Sequence, residues 1–167
     1  MYLRLFDVTS LNVHFIQVYC RSKLPHEMVA QAERFLESAI LKTVTELDGD
    51  IVRAQQLLDG NGIRNLANYL AKPLRVDVRV LSSITNRYLD LFVKTDHLLR
   101  ILETLQISGA IKIEDCDKQR AMLKRQLRRI ASSARNLSDG LRQRLNALSP
   151  TNGSSGNGIQ EKSEEQP

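Results

Sequence analysis

The chain has 167 residues, with 42% hydrophobic and 5% aromatic content, no tryptophan and a formal charge of +5. That length supports one domain with its own core and leaves little room for a second. The scarcity of rings favours Leu/Ile/Val-packed helices over a ring-lined ligand pocket. No apolar run reads as a membrane span or a secretory leader, so a cytoplasmic protein is expected.

The charge is unevenly placed. Residues 112–148 hold ten Lys/Arg (Lys112, Lys118, Arg120, Lys124, Arg125, Arg128, Arg129, Arg135, Arg142, Arg144) against Glu114, Asp115, Asp117 and Asp139, a local +6. The tail from Ser149 is −2, and residues 1–111 are near neutral. Local basicity of this kind points to an anionic partner. Cys20 and Cys116 lack C-x-x-C spacing and nearby histidines, which excludes a disulfide framework and a four-ligand zinc site. No metal or cofactor is expected.

In chain order, residues 1–24 are ambiguous. "YLRLFDV" and "LNVHFIQVY" alternate in part, while Leu11, Phe15 and Tyr19 also share a helix face. A strand-like start followed by a helix is the expectation. Pro25 fits a first helical turn, and Val29, Ala32, Leu36, Ile40, Val44, Leu47, Ile51, Ala54 and Leu58 step by three and four residues. This predicts one long helix over about 26–59, weak at Asp48-Gly49-Asp50 and stopped by "DGNG". A short helix near Arg64–Ala71 should lead to Pro73.

The next stretch, "LRVDVRVL" at 74–81, alternates cleanly. In a strand, Leu74, Val76, Val78 and Val80 share one face, and Arg75, Asp77 and Arg79 share the other. Such a strand needs a partner, either a second copy of itself or the chain's own N-terminal segment. Ser82 or Ser83 can then cap a helix over 83–107. Its residues Ile84, Tyr88, Leu91, Thr95, Leu98, Leu102 and Leu105 follow a seven-residue rhythm. A further helix over about 115–147 aligns Leu123, Leu127, Ile130, Ala134, Leu137, Leu141 and Leu145, and should pack antiparallel to the one before it. Residues 1–148 thus read as a single helical domain. The composition of 149–167, rich in Gly, Ser, Asn and Glu, predicts a disordered tail.

For catalysis, His14, His26 and His97 are scattered, and no nucleophile elbow, phosphate loop or zinc motif occurs. Asp96-His97 reads as a solvated helix-surface pair, and the expectation is that the protein is not an enzyme. The basic helix "KQRAMLKRQLRRIASSARNLSDGLRQRL" has no interleaved rings, which disfavours a single-strand stacking platform. A solvated arginine-rich face is the plainer reading of the same residues. The strand suits a two-stranded ribbon in the DNA major groove, with arginines reading guanine and Asp77 accepting from cytosine or holding an arginine. Glu114, Asp115 and Asp117 suit the helix dipole but not phosphate. Backbone anchoring therefore falls to Lys112, Lys118, Arg128 and Arg129.

Four segments in order carry a family likeness: "LLDGNGI", "NYLAKPLRVDVRV", "RYLDLFVKTDHLLRILETLQISGAI" and "KRQLRRIASSARNLSDGLRQRL". Over about residues 30–148 the chain resembles the AcaB-like proteins of bacterial integrating conjugative elements and conjugative plasmids. That resemblance implies an elaborated ribbon–helix–helix homodimer that binds double-stranded DNA and regulates transcription of a mobile element. In it, Arg75, Asp77 and Arg79 would face the DNA, and further conjugation or transcription proteins would be partners. The alternative expectation is a non-catalytic helical scaffold or adaptor of conjugative transfer.

Overall fold

The computed structural model describes residues 2–67 and 77–148. Four helices account for most of them: α1 (Tyr2–His14), α2 (His26–Gly60), α3 (Ser83–Ile107) and α4 (Ile113–Leu148). A π-helical turn, Phe15–Cys20, extends α1. Arg87 of α3 meets Glu37 of α2, and Lys94 meets Asp48, so α2 and α3 run in the same direction. By contrast, Arg120 pairs with Glu103, and the Tyr88 hydroxyl reaches the Leu127 carbonyl, so α4 runs opposite to α3. Contacts of Arg144 with Met28 and of Gln126 with Glu46 set α4 antiparallel to α2 as well. Phe6 packs on Tyr88 and Phe92, and Phe15 sits under Arg142, which places α1 alongside α4 in the same sense. The result is an up-down-down-up four-helix bundle with one long crossover, between α2 and α3.

The helical periodicities translate into the core. Every seam position of α3 read from the sequence is buried, Thr95 included. On α4 the stripe Leu123, Leu127, Ile130, Ala134, Leu141 and Leu145 is buried, and Leu137 packs against its edge. The α2 positions meet both stripes, and the helix runs unbroken through Gly49. Its C-terminus closes with Ile63 N–H donating to Leu58 O (3.0 Å) and Gly62 N–H to Asp59 O (3.0 Å). This Schellman closure places Gly62 at φ +66°, where a side chain would be strained. Gly109 at φ +76° ends α3 in the same way, with Ala110 N–H on Leu105 O at 2.9 Å. Ser82 is the cap of α3. Its Oγ accepts from Thr85 N–H (3.2 Å), and Thr85 Oγ1 accepts from Ser82 N–H (2.9 Å), a reciprocal capping box.

Several expectations are corrected. No strand occurs among the described residues, so the ribbon–helix–helix architecture does not hold. Asp77–Leu81 has no regular secondary structure, Val80 and Leu81 are exposed, and Val78 only leans on the core; residues 74–76 lie outside the described residues. The physical reason lies in the connectivity. Because α2 and α3 are parallel, the chain between them must return roughly 30 Å along the bundle. Alternation can arise in any extended chain lying on a helix bundle, and a strand needs a hydrogen-bonding edge that the bundle does not offer.

The N-terminus is the second correction. Instead of a strand-like start, α1 is helical from Tyr2. Its apolar side chains lie on both faces, with Phe6, Val13 and Ile16 inside and Val8, Leu11 and Val18 outside, which blurs the helical period. The short helix expected near Arg64–Ala71 is also not formed over Arg64–Ala67; residues 68–71 lie outside the described residues. The last helix begins at Ile113, two residues before the expected start.

A candidate anion-binding face on α4

From Lys118 to Ser138, α4 carries Lys118, Arg120, Lys124, Arg125, Arg128, Arg129 and Arg135 without one acidic residue. These 21 positions span roughly 30 Å of helix at 1.5 Å per residue. The core stripe fixes the rotation of α4, and the opposite side presents Lys118, Arg125, Arg128 and Arg129 to solvent. Lys118 is held by Asp115 at 3.4 Å, Arg120 by Glu103 and Asp117, and Arg135 by Asp139 at 3.7 Å. Lys124, Arg125 and Arg129 have no carboxylate within ion-pair distance among the described residues. Moreover, Lys124 and Arg128 are one turn apart, as are Arg125 and Arg129. Like charges at that spacing destabilise a helix by about 0.2–0.5 kcal/mol per pair. The cations therefore gain nothing from one another at these spacings.

Helix α2 adds one more cation to this region. A cleft of about 210 Å³ between α2 and α4 is lined by Lys42, Thr43, Arg129, Ile130 and Ser133. Lys42 also has no ion-pair partner among the described residues. The one acid bordering this cleft, Glu46, accepts a hydrogen bond from the Gln126 amide at 3.4 Å. Phe35 stands exposed at one end of the cleft and also borders the next cleft along the same groove, beside Met28 and Leu137.

The residues expected from sequence to bind DNA fall into separate places. Arg128 and Arg129 sit together at the middle of the α4 outer face, with Lys118 about three turns away and Lys112 exposed in the turn before the helix. Asp77 and Arg79 are exposed in the irregular chain before α3, and Arg75 lies outside the described residues. The reading face assigned to Arg75, Asp77 and Arg79 depended on a strand, and Asp77–Leu81, the described part of that segment, forms none. Sequence reasoning omitted Lys124, Arg125 and Lys42 from the site. For the first two, the i,i+4 relation to Arg128 and Arg129 was the available signal. Lys42 has no local signal, because only the packing of α2 on α4 brings it near.

Both cysteines are buried and free, and burial pushes each thiol pKa up. Among the described residues no group of three or more His, Cys, Asp or Glu is arranged to hold a metal ion, and no helix is long and apolar enough to cross a membrane. A cleft of about 440 Å³ lies where α2 ends, between Gln55, Asp59, Arg64 and His97. No protein-family model, curated protein or solved structure matches this chain.

Proposed function

We propose that this is a non-catalytic, DNA-binding bundle protein that contacts the phosphate backbone through the outer face of α4. The observation that carries the reading is the acid-free run of cations from Lys118 to Ser138, with Lys124, Arg125 and Arg129 unpaired among the described residues. Cations without internal pairing are available to displace counterions from a polyanion, and a continuous helix spaces them along a duplex. The face has no aromatic side chain, so double-stranded DNA is favoured over a stacked single strand. Contacts of this type position a protein without reading bases. A regulatory role in the cytoplasm of a bacterium carrying a conjugative element is supported by the family resemblance of the four segments alone.

The test compares duplex binding by wild type, Arg125→Gln/Arg129→Gln, and Arg34→Gln. Arg34 is exposed and already paired with Glu27. The α4 variant should bind at least about tenfold more weakly at low salt, and the Arg34 variant should match wild type. Equal binding by all three contradicts the reading. A second reading, a helical scaffold or adaptor of conjugative transfer, is favoured by exposed apolar side chains such as Phe35, Leu41 and Leu11. It predicts protein binding that is indifferent to Arg125 and Arg129.

A further inference from the structure

Helix α1 carries apolar side chains on both faces. Toward the core it buries Thr9, Ser10 and Asn12 beside Phe6 and Val13. Thr9 and Asn12 turn their side chains back to the Leu5 and Val8 carbonyls (2.7 and 2.9 Å), and the Ser10 hydroxyl has no partner. Toward solvent it presents Val8 (50% exposed), Leu11 (63%), Val18 (57%) and Tyr19 (46%), with Phe15 half-buried between them. An amphipathic helix at the surface of a bundle normally keeps its outer face polar. The outward residues Val8, Leu11, Phe15 and Val18 step by 3, 4 and 3, the spacing of a seam that receives another helix. The π-helical turn from Phe15 to Cys20 keeps Ile16 and Cys20 inside while Val18 and Tyr19 face out, so the stripe continues to the end of the helix.

We propose that a second copy of this chain covers the stripe, with the two α1 helices antiparallel about a two-fold axis. The flanking charges identify the occupant. One edge of the seam carries Asp7, His14 and Arg21 at seven-residue intervals. In an antiparallel pair this edge meets itself in reverse order, so Asp7 of each copy faces Arg21 of the other and the two His14 rings meet at the axis. The same register packs Val8 on Val18 and Leu11 on Phe15. A parallel pair brings no opposite charges together along this edge, since the residues it would face there are Asn12, Tyr19 and His26.

The groups are available for this pairing. Asp7 is exposed with no ion-pair partner among the described residues. The Arg21 side chain is 53% exposed, and its 3.4 Å contact with Glu33 engages one nitrogen of a fork that can bind two carboxylates. A self-complementary edge is the requirement of an isologous two-fold interface. One helix pair is a small contact beside a standard interface of about 1,200 Å² or more, so association is sought at micromolar concentration. This proposal stands independently of DNA binding, because its readout is mass.

Sedimentation velocity of the full chain over a micromolar concentration series provides the test. Wild type should pass from monomer to dimer. Leu11→Lys should raise the dissociation constant by about tenfold or more. Asp7→Arg should weaken association, and Asp7→Arg/Arg21→Asp should restore it, with circular dichroism and melting temperature checking the fold of each variant. A wild type that remains monomeric, or a dimer that Leu11→Lys leaves intact, overturns the proposal. Failure of the double charge reversal to restore association overturns the antiparallel register.

Discussion

The Tyr88 hydroxyl of α3 donates to the Leu127 carbonyl of α4 at 3.1 Å, in the interior and beneath the basic face. The carbonyl belongs to the residue immediately before Arg128, so the bond ties the rotation of α4 to the rest of the bundle. Phe6 of α1 stacks on the same ring at 6.2 Å between centroids, so three helices meet at Tyr88.

Tyr88→Phe keeps the ring packing and removes the bond. It should lower unfolding free energy by about 1 kcal/mol, read from urea midpoints at neutral pH. Duplex-DNA affinity should change little, because the cations remain on the outer face.

The same residue gives a pH dependence. Burial pushes the Tyr88 phenol from 10.0 up to about 12, against a lowering contribution from the Thr9 side chain. The folded state therefore keeps this proton to higher pH than the unfolded state does. Its contribution is constant below pH 10, and stability then falls as pH rises from 10 toward 12, by up to about 3 kcal/mol. Urea titrations of wild type and Tyr88→Phe across that range isolate the effect. The stability gap between the two should shrink or reverse as pH rises, and parallel curves would contradict the assignment.

Glycines inside the long helices should be replaceable at a gain. A Cβ at Gly140 of α4 meets nothing within 4 Å, so Gly140→Ala should stabilise by about 0.5–1 kcal/mol. Gly109→Ala faces the opposite situation. Its φ of +76° is a left-handed conformation, and the substitution should cost about 1–2 kcal/mol despite open space around it. Thermal melts of the pair should shift in opposite directions.

At the start of α3, Ser82→Ala removes the acceptor for Thr85 N–H and should cost about 1 kcal/mol. Ser83→Ala, one residue into the helix, should be near neutral. Chemical denaturation of the two variants distinguishes the cap from its neighbour.

The long helices were legible because their apolar residues recur at three and four positions and their ends carry recognisable stops. Gly62 ends α2 within the "DGNG" stop, and Ser82 is the one of the two serines that caps α3. The segment "LRVDVRVL" misled for a reason of connectivity. Alternation of Val with charge is a local property, and whether it becomes a strand depends on an edge to pair with, which a parallel α2–α3 arrangement replaces by a long crossover. At the N-terminus the helical period was hidden by apolar residues on the outer face, Val8, Leu11 and Val18, which are the residues left uncovered in the single chain. The basic run was plain in the sequence, and its net charge was read correctly. What the sequence did not display was which cations are neutralised within the fold. Arg120 and Glu103 lie 17 positions apart, and Lys42 reaches the face only through tertiary packing.

The measurement that bears most directly on the function is the salt dependence of duplex-DNA binding, by fluorescence anisotropy, for wild type and Arg125→Ala/Arg129→Ala. If α4 lies on the phosphate backbone, each lost contact flattens the log–log slope by about 0.9, so the double variant should be shallower by about 1.8. A wild type that does not bind at low salt, or a variant with an unchanged slope, would contradict the α4 assignment.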